Sequence, residues 1–308
     1  MNHKPVLLQE TLTQLNLRKG EVVVDGTLGL GGHGKAILKA IGSAGKYYGF
    51  DLDIDNLTEA KKRLKEFSAQ TNFFHDNFVH CHDRLHEEGI DQVDAILLDL
   101  GLSSPHIDDP SRGFSLQEDG PLDMRFDRQS NTLTAAQIVN TWPESDLKKI
   151  IYEYGEERYA PKIARLIVEQ RKEKPFTVTS ELVDLVGTIM KSSTDKRKVA
   201  TRVFQALRIA VNQELEVLEK VIPPLLSLLK SGGRLVIISY HSLEDRLVKR
   251  AFKKVARACI CPPQVLQCEC SGKTSFQILT KKPIVPFDSE IQENPRSRSA
   301  KLRAIKKI

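Results

Sequence analysis

The most regular feature of the chain is a set of short apolar runs separated by segments with helical periodicity. Each run has the length of a buried strand. The first four are Val22–Asp25, Lys46–Asp51, Thr71–His75 and Val93–Asp99. Helical patterns lie between them, from about Lys35 to Ile41 and from Asp55, taken as the N-cap, to Phe67. Strands that alternate with helices predict a parallel sheet with right-handed crossovers.

This alternation stops in the middle of the chain. From about Gly113 to Val211 the patterns are helical, and no run resembles a strand. One apolar stripe recurs every four residues, as on a single buried helix face. Its members are Val199, Val203, Leu207 and Val211.

Strand patterns return near the end of the chain. Arg234–Tyr240 is the clearest late strand, and Ser275–Thr280 and Lys301–Ile305 are candidates for a closing antiparallel pair. The remaining predicted elements are a helix over Leu215–Leu229 that Pro223 and Pro224 should kink or divide, a turn at Ser231–Gly233 and a helix over Leu243–Ala256. We therefore predict a doubly wound α/β core over residues 1–112 and 212–308, interrupted by an all-helical insertion over residues 113–211.

Charge adds two basic clusters to this outline. The 308-residue chain has a formal net charge of +6, and its segment beyond Glu293 has no acidic side chain. That segment carries Arg296, Arg298, Lys301, Arg303, Lys306 and Lys307. The second cluster is Lys196-Arg197-Lys198 with Arg202 and Arg208. Each is either a phosphate-binding surface or a solvated face, and charge alone does not decide.

No apolar run reaches the roughly 20 residues of a membrane helix. The start of the chain also lacks the apolar stretch of a secretory signal. We therefore expect a cytoplasmic protein without a membrane partner.

A glycine-rich turn is the first sign of chemistry. Gly29–Gly34 fits G-x-G-x-x-G after a predicted strand and at the start of a helix. Asp51, with Asp53 beside it, ends the next strand, where a carboxylate can accept hydrogen bonds from ribose hydroxyls. This pattern serves NAD, FAD or S-adenosylmethionine (SAM), and its structural alternative is a tight turn without a ligand.

Two further carboxylates favour SAM. Asp25 stands directly before the glycine turn, where it would face the methionine ammonium group, and Asp99 ends the fourth strand at the same edge of the sheet. Two carboxylates suit a cationic sulfonium compound better than a pyrophosphate. For Asp99 the structural alternative is a capping or turn residue.

The cysteines leave a separate question open. Cys259 and Cys261, with Cys268 and Cys270, form two close pairs that suit a structural zinc site or remain free thiols in a polar loop. The C-x-C spacing is less usual for zinc, so free thiols are the favoured interpretation and no metal is assigned.

Nine segments in a fixed order resemble the bacterial ribosomal RNA small subunit methyltransferase H family. They are His3–Leu8, Asp25–His33 (DGTLGLGGH), Leu97–Pro105 (LLDLGLSSP), Arg112–Ser115, Gly120–Arg125, Tyr154–Arg158, Ala200–Arg208, Ser239–Arg246 (SYHSLEDR) and Asn294–Ser299. They span nearly the whole chain and are highly specific together, although no single one would be.

The resemblance implies a class I SAM-dependent methyltransferase fold with a helical substrate-recognition insertion. It implies methylation of N4 of a cytidine in the decoding region of 16S rRNA, within the small ribosomal subunit or a late assembly intermediate. It also implies SAM contacts at Gly31, Gly32, His33, Asp51, Phe78, Asp99 and His106. At His106 the chain departs from the family pattern, which has Gln, so this contact is the least secure of the set.

In methyl transfer to an amine, the main task of the protein is to orient the acceptor. The reaction requires no metal and no covalent enzyme intermediate. Asp99 is the first candidate for accepting a hydrogen bond from N4, ahead of Ser103, Ser104 and His241. The target base must leave its stack to reach such a site. Two alternatives remain: a nucleotide-dependent oxidoreductase on the same fold, and a non-catalytic RNA-binding protein.

Overall fold

A computed structural model describes residues 4–189, 192–257 and 274–308. The chain divides into two compact units. The first unit comprises Met1–Gly101 and Leu215–Ile308, and the second comprises Leu102–Glu214. The segment from residue 102 to 112 thus groups with the second unit, although the sequence pattern assigns it to the α/β core. The four paired cysteines, Cys259 to Cys270, lie outside the described residues.

Within the described residues, the first unit contains one sheet of seven strands. The strands are β1 (Val22–Asp25), β2 (Lys46–Asp51), β3 (Thr71–His75), β4 (Val93–Asp99), β5 (Leu229–Ser239), β6 (Phe276–Ile278) and β7 (Lys301–Lys307). Their order across the sheet is β3-β2-β1-β4-β5-β7-β6. Neighbours from β3 to β5 pair in parallel, and β7 is antiparallel to β5 and β6. The predicted α/β class and the closing antiparallel pair are confirmed.

Helices flank this sheet and build the second unit. In chain order they are α1 (Leu8–Leu15), α2 (Gly32–Ile41), α3 (Ile54–Arg63), α4 (Cys81–Glu87), α5 (Ser104–Asp108), α6 (Ala135–Thr141), α7 (Glu144–Glu153), α8 (Ala160–Glu173), α9 (Thr179–Gly187), α10 (Ser193–Asn212), α11 (Glu214–Leu228), α12 (Ser242–Val255) and α13 (Asp288–Glu293). Among the described residues, no helix has the length and apolarity needed to cross a bilayer.

Alternate residues of the central strands build two cores, one on each face of the sheet. Ile96 and Leu98 of β4 pack with apolar residues of α11 and α12. Ala95 and Leu97 point to the other face and pack with α2 and α3. Because both faces are covered, β4 is apolar along almost its whole length, as buried parallel strands are.

Three local predictions need correction. The N-cap of α3 is Asp53, whose side chain accepts hydrogen bonds from the amides of Asp55 and Asn56, so the assignment of Asp55 was wrong. The helix also ends at Arg63 and a 3-10 turn follows, short of the predicted end at Phe67. At α11 the helix continues through Pro223 and Pro224 as one element, so the prolines do not divide it.

The basic residues at the C-terminus belong mostly to the sheet. Arg303 is 6% exposed and donates to the Asp245 carboxylate at 2.7 and 3.2 Å. The Lys307 ammonium donates to the carbonyls of Ser227 and Leu229 at 3.2 and 2.6 Å. These two cations serve the fold of the first unit, so the hypothesis of a basic tail that contacts phosphate is wrong for them.

The second unit has its own apolar core, in which all four members of the predicted α10 stripe are buried. Two basic residues of the same helix form internal ion pairs: Arg202 with the fully buried Glu157 at 3.0 Å, and Arg208 with Glu214 at 2.8 Å. Lys196, Arg197 and Lys198 stay exposed. Of the predicted cluster, only these three residues present their charges to solvent.

Candidate functional site

The glycine turn joins β1 to α2 at the carboxyl edge of the sheet. Gly29 and Gly31 have positive φ angles of 52° and 76°, a conformation that strains residues with a Cβ. A Cβ on Gly32 would lie 2.6 Å from Pro5 Cγ, so no larger residue fits there. At Gly29, by contrast, a Cβ would meet only one atom, 4.0 Å away. The turn is therefore closed towards the protein and open beside Gly29.

Asp51, the last residue of β2, holds this turn in place. One carboxylate oxygen accepts the Gly29 amide at 2.7 Å and the other accepts the Asp53 amide at 2.8 Å. The Asn56 side-chain amide lies at the limit of hydrogen-bond distance, 3.5 Å from one of these oxygens. Asp51 therefore organises the glycine turn from the end of β2, the position at which a carboxylate meets the ribose hydroxyls of a bound nucleoside in folds of this class.

Phe78 starts a short 3-10 turn after β3, and the Asn77 side chain caps that turn. Its ring is half-buried and packs against the core under β1. A Cβ on Gly26 would lie 3.0 Å from Phe78 Cβ. The aromatic side chain therefore borders the start of the glycine turn, as expected for a residue that faces a bound nucleoside.

Asp25 does not present an open face to a ligand. It is 1% exposed, accepts the Tyr47 hydroxyl at 2.7 Å and accepts the Thr27 amide at 3.1 Å. Burial raises the pKa of Asp25 to about 6, against the effect of these hydrogen bonds. Asp25 therefore supports the turn from below, and the expectation that it faces the ammonium group directly is wrong.

Asp99, the last residue of β4, is the most distinctive group at this edge. Its Oδ1 accepts the Tyr240 hydroxyl at 2.8 Å, and its Oδ2 lies 3.6 Å from His33 Nε2. Burial raises the pKa of Asp99 to about 7; the Tyr240 hydrogen bond opposes this shift, and the charges of Asp25 and Glu244 add to it. The side chain keeps 21% of its surface exposed. A carboxyl group whose pKa lies near neutral pH is thus partly exposed to solvent at the carboxyl edge of the sheet.

Tyr240 was missed by the sequence patterns. It follows β5, and its backbone amide donates to Glu244 Oε2 at 2.8 Å. Glu244 and His241 also form the capping box of α12, with His241 Nε2 3.2 Å from Glu244 Oε1. The start of α12 therefore fixes Tyr240, and Tyr240 fixes Asp99. His241 is a capping residue, which weakens it as a candidate for contacting the target amine.

Six of the seven predicted SAM contacts belong to the first unit: Gly31, Gly32, His33, Asp51, Phe78 and Asp99. The first three lie at the glycine turn and the start of α2, and Asp51 and Phe78 border the turn. His33 also lies close to Asp99. His106 belongs to the second unit, where it is 4% exposed, stacks on Phe126 and packs near Phe114. Its Nδ1 lies 3.0 Å from Ser103 Oγ. The contact of His106 with SAM stays a prediction.

A family model described as the MraW methylase family matches residues 1–308. The chain belongs to the MraW methylase family. The chain is similar to proteins named ribosomal RNA small subunit methyltransferase H. The relative from Carboxydothermus hydrogenoformans is 48% identical, and the match covers 100% of this chain and 98% of the relative. The relative from Geobacter sp. strain M21 is also 48% identical, and the match covers 100% of this chain and 99% of the relative. A solved putative rRNA methylase from Clostridium thermocellum, at 13% identity and TM-score 0.46, covers 100% of both chains.

The MraW methylase family is a family of SAM-dependent methyltransferases, so the expected enzyme class and cofactor are confirmed. The residues at this edge fit that cofactor. Gly29 leaves open space beside Asp51, whose carboxylate accepts the Gly29 amide, and Phe78 borders the same turn. In this family member, sheet order was the signal that could have found Tyr240, because β5 lies next to β4.

Proposed function

We propose that the protein methylates the exocyclic N4 amine of a cytidine in the decoding region of 16S rRNA. The names of the relatives support the small-subunit rRNA substrate, and the resemblance of the motifs supports the N4 position. With this substrate, the enzyme would act in the cytoplasm. It would bind the small ribosomal subunit or a late assembly intermediate.

The observation that carries this proposal is the arrangement around Asp99. Tyr240 occupies Oδ1, and Oδ2 is directed toward His33 at 3.6 Å, beyond hydrogen-bond distance. Cytosine presents an amine donor at its N4 position, whereas uracil presents an acceptor oxygen there. An ionised Asp99 can accept a hydrogen bond from the cytosine amine and repels the uracil oxygen. This carboxylate therefore suits an amine substrate.

Each residue then has a defined task in the reaction. Bound SAM supplies an electrophilic methyl group. The backbone of Gly31 and Gly32, the Asp51 carboxylate and the Phe78 ring hold and orient it. Asp99 accepts one N4–H and turns the nitrogen lone pair away from the ring. As the new N–C bond replaces the bond between the methyl group and the sulfur of SAM, N4 must lose one proton, and a carboxylate with a pKa of about 7 is suited to take it.

The second unit is proposed to recognise RNA. Lys196, Arg197 and Lys198 are consecutive and exposed on α10. Lysine and arginine contacts with phosphate give salt-sensitive affinity with little sequence discrimination. Replacement of all three by alanine should lower RNA affinity and its salt dependence without changing SAM affinity. A matched control is the triple alanine variant at Lys148, Lys149 and Lys162, which are exposed in the same unit.

The function is tested by incubating the protein with isotopically labelled SAM and small subunits from a strain that lacks the modification. We expect label on N4 of one cytidine in the decoding region, identified by nuclease mapping and mass spectrometry. Label on a ring carbon, on a ribose or on another RNA species would contradict the proposal. Asp99→Asn serves as the control for methylation that does not depend on the site.

A further inference from the structure

The outward face of α12 is uniformly basic. Arg246, Lys249, Arg250, Lys253 and Lys254 are all exposed, and no acidic residue follows Asp245 on this helix. The opposite face is buried in the core of the first unit through Glu244, Val248 and Phe252. Packing therefore fixes the orientation of the helix and directs its cations into solvent. We call Lys249, Arg250, Lys253 and Lys254 the α12 stripe.

The α12 stripe differs from the charged faces of α3 and α8. On α3, Lys62 and Arg63 lie 3.9 and 3.0 Å from Glu59, and on α8 Arg165 lies 2.8 Å from Glu169. Among the residues that the structure describes, no carboxylate pairs with a member of the α12 stripe; the nearby Asp245 pairs with Lys301 and Arg303 instead. The stripe has no anionic partner within the part of the chain that is described.

Helix stability alone does not explain these cations. Lys253 and Lys254 lie in the last turn, where positive charge interacts favourably with the helix dipole. Lys249 and Arg250 lie in the middle of the helix, each four residues before another cation of the stripe. Like charges at this spacing destabilise a helix. A row of mutually repelling cations is instead what a polyanion would neutralise.

The position of α12 connects this row to the reaction site. The helix begins two residues after Tyr240, whose hydroxyl holds Asp99. From Lys249 to Lys254 the helix rises about 7.5 Å at 1.5 Å per residue. Four long cationic side chains spread over that length can reach more than one phosphate of a nucleic acid strand, whereas a small anion would occupy only one point among them.

We propose that the α12 stripe binds phosphates of the RNA substrate, as a second contact surface on the methyltransferase unit itself. This inference rests on the proposed rRNA substrate. It means that RNA binding does not depend on the helical unit alone.

The test compares two triple variants with equal loss of charge. Lys249→Ala/Arg250→Ala/Lys253→Ala removes three of the four cations of the stripe, and Lys61→Ala/Lys62→Ala/Lys65→Ala removes three exposed lysines from α3 and the turn after it. Filter binding to unmodified small subunits is measured over a range of salt concentrations. The stripe variant should lose about two to three units of slope in log K against log salt and bind on the order of tenfold more weakly near 0.15 M salt. The control should keep the wild-type slope.

Other measurements separate the possible results. Unchanged melting temperature and unchanged affinity for S-adenosylhomocysteine establish that the stripe variant is folded. A wild-type salt slope in that folded variant would overturn the inference, even if the protein methylates the expected cytidine. Loss of binding to vesicles containing phosphatidylserine without loss of RNA binding would also overturn it, in favour of a membrane surface. Failure of wild-type methylation with the stripe-dependent slope intact would instead overturn the proposed function.

Discussion

Two carboxylates at the carboxyl edge of the sheet are held differently from the buried carboxylates of the second unit. In the first unit, Asp25 and Asp99 receive hydrogen bonds from the hydroxyls of Tyr47 and Tyr240, and burial raises the pKa of each carboxyl group, to about 6 and about 7. In the second unit, arginines pair with the acids, and hydrogen bonds from Arg125 help to lower the pKa of Asp123 despite its partial burial.

The two kinds of partner suit different roles for the carboxylate, one structural and one chemical. An arginine partner keeps a carboxylate ionised and fixed, which suits an ion pair within a core. A tyrosine partner orients the carboxylate without neutralising it, so the group can gain or lose a proton near neutral pH. Perturbed pKa values of this kind cluster at functional sites. The comparison therefore supports the proposal that the reaction takes place at the edge of the sheet that carries Asp99.

The largest effect is expected at Asp99. Asp99→Asn keeps the size of the side chain and one acceptor oxygen but removes the charge. If the carboxylate orients N4 and takes its proton, the single-turnover rate should fall by about 10²-fold or more. SAM affinity should fall much less. Single-turnover rates measured across SAM concentrations provide the check, because full recovery at saturating SAM would make Asp99 only a cofactor ligand.

Asp51 should affect binding instead of chemistry. Loss of a hydrogen bond to a charged group costs about 1.5–3 kcal/mol, so Asp51→Ala should weaken SAM binding by roughly tenfold or more. Titration calorimetry measures this directly. An unchanged affinity in a folded variant would remove Asp51 from the cofactor site.

In the second unit the expected effect is on stability. Arg202 is 49% exposed, whereas its partner Glu157 is fully buried. Arg202→Ala leaves a buried carboxylate without its cation and should lower the free energy of unfolding by about 1–3 kcal/mol. Glu157→Gln removes the charge and should cost less. Urea denaturation tests this order, and the reverse order would argue against an ion pair that serves only the fold.

The smallest effect is expected at Tyr240. Its hydrogen bond lowers the pKa of Asp99, so Tyr240→Phe should raise that pKa further and protonate more of the carboxylate at neutral pH. The rate at pH 7 should therefore fall, whereas at about pH 9, where the carboxylate is mostly ionised in both proteins, it should be nearly unchanged. Affinity for S-adenosylhomocysteine should not change. A loss that is equal at every pH would indicate a merely structural role.

The sequence predicted the strands and the glycine turn because both are local patterns. Tyr240 required the sheet order, since its partner Asp99 lies 141 residues away and meets it only because β4 and β5 are neighbours. The N-cap of α3 was misassigned because Asp53 and Asp55 both precede the helical pattern. Arg303 was assigned to a basic tail, because its hydrogen-bond partner Asp245 lies 58 residues earlier in the chain.

The pH dependence of the rate tests the central role of Asp99 most directly. Single-turnover methylation at saturating SAM is measured for the wild-type protein and for Asp99→Asn from about pH 5.5 to about pH 9. An acceptor must be ionised, so the wild-type rate should rise with pH through about 7, the pKa of Asp99, and then level off. The variant should be slow and lack this rise. A variant that keeps the same rise would assign the titration to another group and contradict the account.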